Sequence, residues 1–224
     1  MSRAGRFVRG NSLSLVFLVI FLAALAGQAI AGWHLFNDDQ HSHHEPGVSL
    51  ARYLTSSRFA VETTENWQSE FLQFTLYIVA TIWLVQRGSS ESKKPGDEGL
   101  DSDEDEHLGA HATADSPKWA RVGGLRTAIY SNSLVLVFGV VFLASWTAQS
   151  VAGWRDYDDE QVQHGEAAVS WGRYLTEPDF WDRTLQNWQS EFLAVGSMAI
   201  FAVYLRQRGS PESKPVGAPH DATG

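Results

Sequence analysis

Apolar residues gather in four blocks along the chain, and polar residues fill what lies between them. The first block, Ser12 to Trp33, runs without a charge. At 1.5 Å rise per residue, about 20 apolar residues cross a ~30 Å hydrocarbon core, so this block predicts a span over 12–33. Ser133 to Trp154 repeats the pattern and predicts a span over 133–154. Two shorter blocks, Phe71 to Gln86 and Phe192 to Leu205, reach spanning length only with the preceding Asn-Trp-Gln-Ser-Glu included. They predict spans over 67–86 and 188–206.

The blocks fall into register because the chain repeats itself. Asn66-Trp67-Gln68-Ser69-Glu70-Phe71-Leu72 returns unchanged as Asn187-Trp188-Gln189-Ser190-Glu191-Phe192-Leu193. The same offset lays Asn11 on Asn132, Gln28 on Gln149, Trp33 on Trp154, Arg52-Tyr53 on Arg173-Tyr174 and Lys93 on Lys214. Roughly half of the positions from 11 to 94 match without a gap, a repeat too long for a solenoid unit of ~20–50 residues. A cleaved signal peptide also fits the first block, with Arg3, Arg6 and Arg9 before it and Ala29-Ile30-Ala31 as the cleavage site. A signal peptide has no reason to recur in register deep inside the chain, which favours an uncleaved span.

Both first spans carry small residues four apart, Ala23, Gly27 and Ala31 matching Ala144, Ala148 and Ala152. Such a ridge lets another helix approach closely. After the loop 155–187 begins, Thr176-Glu177-Pro178-Asp179 reads as a helix start that enters the membrane near Trp188. The divisions that follow are a first two-span repeat over 1–94, a disordered acidic linker over 95–125, a second repeat over 126–215 and a disordered tail over 216–224. The linker holds Asp101-Ser102-Asp103-Glu104-Asp105-Glu106, which cannot bury enough apolar surface to offset its chain entropy.

Basic residues set the orientation. Those of the N-terminus, linker and tail fall on one side of a four-span chain, and the two long loops hold few. The positive-inside rule therefore places both termini and the linker in the cytoplasm. Two spans per repeat keep the halves parallel, related by an axis along the membrane normal. The fold class expected is an all-α membrane protein, two tandem helical hairpins with long extracytoplasmic loops.

The net charge of −9 across 224 residues makes nucleic acid an unsuited partner, because phosphate binding needs a basic face. Absence of cysteine excludes disulfides and thiolate chemistry. Glu70 and Glu191 draw attention because a carboxylate near hydrocarbon is costly to ionise. Gln28 and Gln149 lie at similar depth, and Asn66, Gln68, Asn187 and Gln189 add polar groups. This cluster reads either as a clamp locking each hairpin, with Gln28 bonded to Glu70 and Gln149 to Glu191, or as an ion or proton path. In the loops, Arg52 and Arg173 suggest ion pairs with Glu45 and Glu166. His41, His43 and His44 suggest a Zn or Cu site, although a flexible run lacks the fixed geometry a metal needs. No G-x-S-x-G, P-loop or H-E-x-x-H occurs, so neither an enzyme nor a cofactor is expected.

The combination Asn-Ser-Leu-x-Leu-Val-Phe, Ala-Gly-Trp, Arg-Tyr-Leu-Thr, Asn-Trp-Gln-Ser-Glu-Phe-Leu and Gln-Arg-Gly-Ser-x-Glu-Ser-Lys resembles a family of uncharacterised small bacterial multi-pass membrane proteins, a domain of unknown function with two tandem halves. The resemblance implies a multi-pass membrane protein and carries over no catalytic or binding residue. The first half departs from the second at Arg58-Phe59-Ala60, where the second has Asp179-Phe180-Trp181. The functional expectation is a structural or interaction component of the bacterial cytoplasmic membrane. Its partners would be the lipid bilayer and either an envelope protein or a second copy. The alternatives are a small transporter or channel using Glu70 and Glu191, and an extracytoplasmic metal binder.

Overall fold

A computed structural model describes residues 2–224, and among them every regular element is helical. In chain order the α-helices are α1 (Arg3–Gly10), α2 (Ser12–Ser42), α3 (Leu50–Tyr53), α4 (Ser57–Trp83), α5 (Lys118–Arg121), α6 (Gly124–Ser131), α7 (Ser133–Gln163), α8 (Trp171–Tyr174) and α9 (Pro178–Tyr204), with a 3-10 turn at Gly109–His111 between α4 and α5. The bounds of α1 to α4 recur in α6 to α9 at the offset of the sequence repeat.

At 31 residues each, α2 and α7 are long and apolar enough to cross a membrane. A helix of that length extends ~46 Å, more than the ~30 Å of a hydrocarbon core. Each continues past its tryptophan, Trp33 or Trp154, into polar sequence that carries Asp and Gln in both helices. α4 and α9 begin ten residues before Trp67 and Trp188, so a charged stretch precedes each apolar one. Ser56 caps α4 by accepting the Phe59 N–H, and Glu177, one residue beyond the expected Thr176, stands before Pro178 at the start of α9.

The most extensive helix packing lies between the halves. α4 runs antiparallel along α7 and touches α9 more lightly. Phe71 and Phe74 flank Phe138 near one end of the α4–α7 seam, and Val61 meets Gly153 near the other. The helices within each half stand further apart because a buried tyrosine is wedged between them. Tyr53 lies over Gly32 and against Phe36 and Phe59, and Tyr174 lies over Gly153 and against Tyr157 and Phe180.

The loops are pinned identically in both halves. Trp33 Nε1 donates to Val48 O at 2.7 Å, and Trp154 Nε1 to Val169 O at 2.7 Å. Asn37 Oδ1 and Asp158 Oδ1 accept the same two residues' N–H groups, each at 2.6 Å. At the far end, residues 216–224 fold back instead of running free as the sequence suggests. The Lys214 ammonium gathers the carbonyls of Gly88, Pro219, His220 and Ala222, and Thr223 Oγ1 accepts the Gly88 N–H at 2.8 Å. Gly88 has φ +88° and its counterpart Gly209 φ +86°, the left-handed region that a side chain disfavours.

A methyl group at Gly153 would stand 2.5 Å from Tyr174 Oη and 3.2 Å from Val61 Cγ2, whereas at Gly27 nothing lies within 4 Å. Gly153→Ala should therefore destabilise by about 1–3 kcal/mol through overpacking, and Gly27→Ala should not. Thermal melting in detergent distinguishes the two.

Candidate functional site

The N-terminal ends of α4 and α9 and the C-terminal end of α7 converge on a lattice of charges. On α4, Arg58, Glu62 and Glu65 are spaced at i, i+4 and i+7 and so share one helix face. On α9, Asp179 and Arg183 occupy the register of Arg58 and Glu62 with the charges exchanged. Asp156, two residues past Trp154 on α7, lies between the two arginines.

Arg58 Nε donates to Glu62 Oε1 at 2.8 Å, and Arg58 Nη1 to Asp156 Oδ2 at 3.3 Å. Arg183 Nε donates to Asp179 Oδ2 at 3.1 Å, and its Nη1 reaches Glu65 Oε2 at 3.5 Å. Arg183 Nη2 stands 3.7 Å from Asp156 Oδ2. The wedge tyrosines complete the lattice. Tyr53 Oη donates to Glu62 Oε2 at 3.0 Å, and Tyr174 Oη to Asp179 Oδ2 at 2.9 Å.

Burial sets the electrostatics here. It raises the Glu65 carboxyl above the ordinary range, with Arg183 opposing the shift. Burial alone would lower Arg183, but Asp179, Glu65 and Asp156 hold it above its usual value. Both tyrosines are pushed up, first by burial and then by the carboxylate each one donates to.

Beside the lattice opens a cleft of about 1770 Å³, with Gln28, Gly32, Tyr53, Glu62, Arg58 and Asp156 among its lining residues. His43 and His164 also line it, their rings edge to face with centroids 6.4 Å apart. Each closes a helix end, His43 Nδ1 lying 3.1 Å from Asp39 O and His164 Nδ1 2.9 Å from Glu160 O. His41 and His44 are exposed. Among the described residues no group of three or more His, Asp or Glu side chains is placed to hold a metal ion.

The polar cluster expected from the sequence is divided. Gln149 is buried and donates through Nε2 to Thr184 Oγ1 at 3.3 Å rather than to Glu191. Gln68 is buried and accepts the Trp188 indole N–H at 2.8 Å, a bond across the halves. Gln28 faces the cleft and Glu70 is exposed, so the Gln28–Glu70 clamp does not form. Asn66 and Asn187 bond back to Glu62 O and Arg183 O on their own helices, and Gln189 is exposed.

The loop pairs also differ from expectation. Arg173 binds Glu177 at 2.6 Å, four residues on, in place of Glu166, and no Arg52–Glu45 pair forms among the described residues. An i, i+4 partner on the same turn costs less chain ordering than a loop acid. The lattice residues Arg58, Glu62, Glu65, Asp156, Asp179 and Arg183 were not anticipated. Their signal was the exchange of charge at one register between otherwise matching halves.

The molecule is thus an all-helical protein in which two helices are able to cross a membrane, with a charged lattice at one end. The chain belongs to the family described as Domain of unknown function (DUF6766), which matches residues 4–224. No curated protein and no solved structure matches it.

Asp156→Asn removes the one carboxylate shared by both arginines and should cost about 1–3 kcal/mol, between the values for exposed and buried pairs. The pH dependence of the lattice has a definite sign. Because the folded protein raises the Glu65 carboxyl, it binds that proton more readily than the unfolded chain, and stability grows as pH falls toward the raised value. The melting temperature of the native protein relative to Glu65→Gln should rise between about pH 7 and about pH 5.

Proposed function

We propose that this is a four-span protein of the bacterial cytoplasmic membrane that serves as a structural or interaction component, presenting its charged outer end to an envelope partner. In this reading α2 and α7 supply two spans, and the apolar parts of α4 and α9, 67–83 and 188–204, supply the others with the extended residues that follow, the helices ending short of the expected 86 and 206. The basic residues flanking the spans put both termini and the linker in the cytoplasm. The lattice and cleft then face outward, and the folded-back tail lies inside.

The observation that carries the role is the lattice itself. Two arginines and four carboxylates tie α4, α7 and α9 together across both halves. Transport by rocking of one repeat against the other would have to break such ties in each cycle. A fixed platform with an acidic cleft beside it suits binding. No motif for catalysis accompanies it, and the role needs no cofactor.

Topology is open to a direct test because the chain has no cysteine. Single cysteines at Glu45 and Glu166 should react with an impermeant thiol reagent in whole cells, and one at Asp103 should not. Labelling at Asp103 alone inverts the orientation.

A second reading, a small transporter or channel, draws on Glu70 and Glu191, carboxylates at matching positions of the two repeats near the ends of the second spans. Glu70→Gln with Glu191→Gln separates the two roles. An unchanged fold and unchanged association with membrane proteins are expected from a platform; loss of an ion or proton flux in liposomes, with melting unaltered, favours transport.

A further inference from the structure

The duplicated halves meet through two different surfaces, and one example of each is left over. We propose that α9 of one copy of this chain lies along α2 of a second copy, repeating between chains the seam that α4 and α7 make within one. The proposal rests on the four-span reading above.

The seam is heterologous: the second long helix of one half packs on the first long helix of the other. A contact of this kind uses unlike surfaces, so the outward copy of each surface stays available for the next unit, and repetition builds a ring or a chain. Here the available surfaces are on α2, equivalent to α7, and on α9, equivalent to α4.

Equivalent residues show the difference. Leu72 on α4 is 9% exposed, and its counterpart Leu193 on α9 is 65% exposed. Gln68 and Ser69 are buried, whereas Gln189 and Ser190 are exposed. On the other surface, Ser145 and Ala152 of α7 are buried, and Ala24 and Ala31 of α2 are exposed. Phe138 sits against Phe71 and Phe74; its counterpart Phe17 is 63% exposed, and Phe192, the counterpart of Phe71, is 44% exposed.

Polarity distinguishes a protein occupant from lipid. Acyl chains satisfy Phe17 and Leu193 as well as a helix does, but the counterpart of Gln189, Gln68, is buried and accepts a hydrogen bond from Trp188 of the neighbouring half, a bond that a further helix pair can repeat. A second copy presents on α2 the counterpart of the α7 surface that packs on this helix type within the chain. The outer lattice has no counterpart there, since Leu35 stands in the place of Asp156 and Gln186 in that of Glu65. The contact between chains is therefore confined to the spans and is weaker than the internal seam.

Disulfide trapping tests the proposal. Thr75 Cγ2 lies 3.9 Å from where a Cβ on Gly139 would stand, and the equivalent residues are Gly196 on α9 and Leu18 on α2. Leu18 is half exposed and a Cβ at Gly196 meets nothing within 4 Å, so cysteine fits both positions. Oxidation of the L18C/G196C variant in native membranes should give covalent dimers or higher multiples that collapse on reduction, with neither single variant doing so. A T75C/G139C chain with a protease site placed in the linker reports on the seam, its halves remaining joined after cleavage until reduced. If the seam links while L18C/G196C stays monomeric or links only within one chain, the free surfaces face lipid and the proposal is overturned. If the seam itself does not link, the packing of the two halves in the membrane fails, and the proposal falls with it. Native mass spectrometry of the unaltered protein should show multiples of the chain mass; a monomer alone also overturns it.

Discussion

The architecture depends on one constraint: two equivalent helix pairs must be joined by a seam that only one helix from each can enter. α4 and α7 occupy it, and the buried residues of the protein concentrate along them. The outer helices α2 and α9 hold their positions through less packing. Tyr53 and Tyr174 set that spacing, each resting on a glycine and tied to a carboxylate on the far helix. A residue larger than glycine beneath either ring would displace it and with it the outer helix.

A duplicated chain that kept both halves identical would place like charges at the same register. The exchange of Arg58 and Glu62 for Asp179 and Arg183 gives each half an internal i, i+4 pair of opposite sense. Asp156, which has Leu35 as its counterpart, then draws the two arginines toward one point. Partly buried pairs of this kind contribute modestly to stability, but leaving one charge without a partner is costly, so the lattice selects one mutual arrangement of the halves.

At the opposite end the same economy recurs with different partners. Gln86 and Gln207 N–H groups bond to Ser92 and Ser213 hydroxyls, giving two copies of one turn. Lys93 reaches Gly99 O and Asp101, within its own following segment, while Lys214 reaches across to Gly88 as well as into the tail. The tail thereby joins the two halves where the sequence offers only a polar run. Ammonium coordination by converging carbonyls depends on chain direction, and composition does not reveal it.

The repeat, the helical class and the two strongest apolar helices were legible from the residues, because hydrophobic blocks and a constant offset are one-dimensional properties. The loop anchors are partly legible, in that Trp33 and Trp154 recur at the repeat offset while nothing along the chain names Val48 and Val169 as their acceptors. Partner choice was not legible. Gln149 and Glu191 lie at similar depth along their helices, yet Gln149 turns to Thr184, because depth fixes height and not rotation about the helix axis. The residues alone locate the apolar stretches of the four long helices; the extension of α2 and α7 to Ser42 and Gln163, the start of α4 at Ser57 and the choice of α7 as its neighbour belong to the folded chain. Helix pairing is a competition among similar surfaces, settled by wedge residues and charge placement that no single stretch of chain contains.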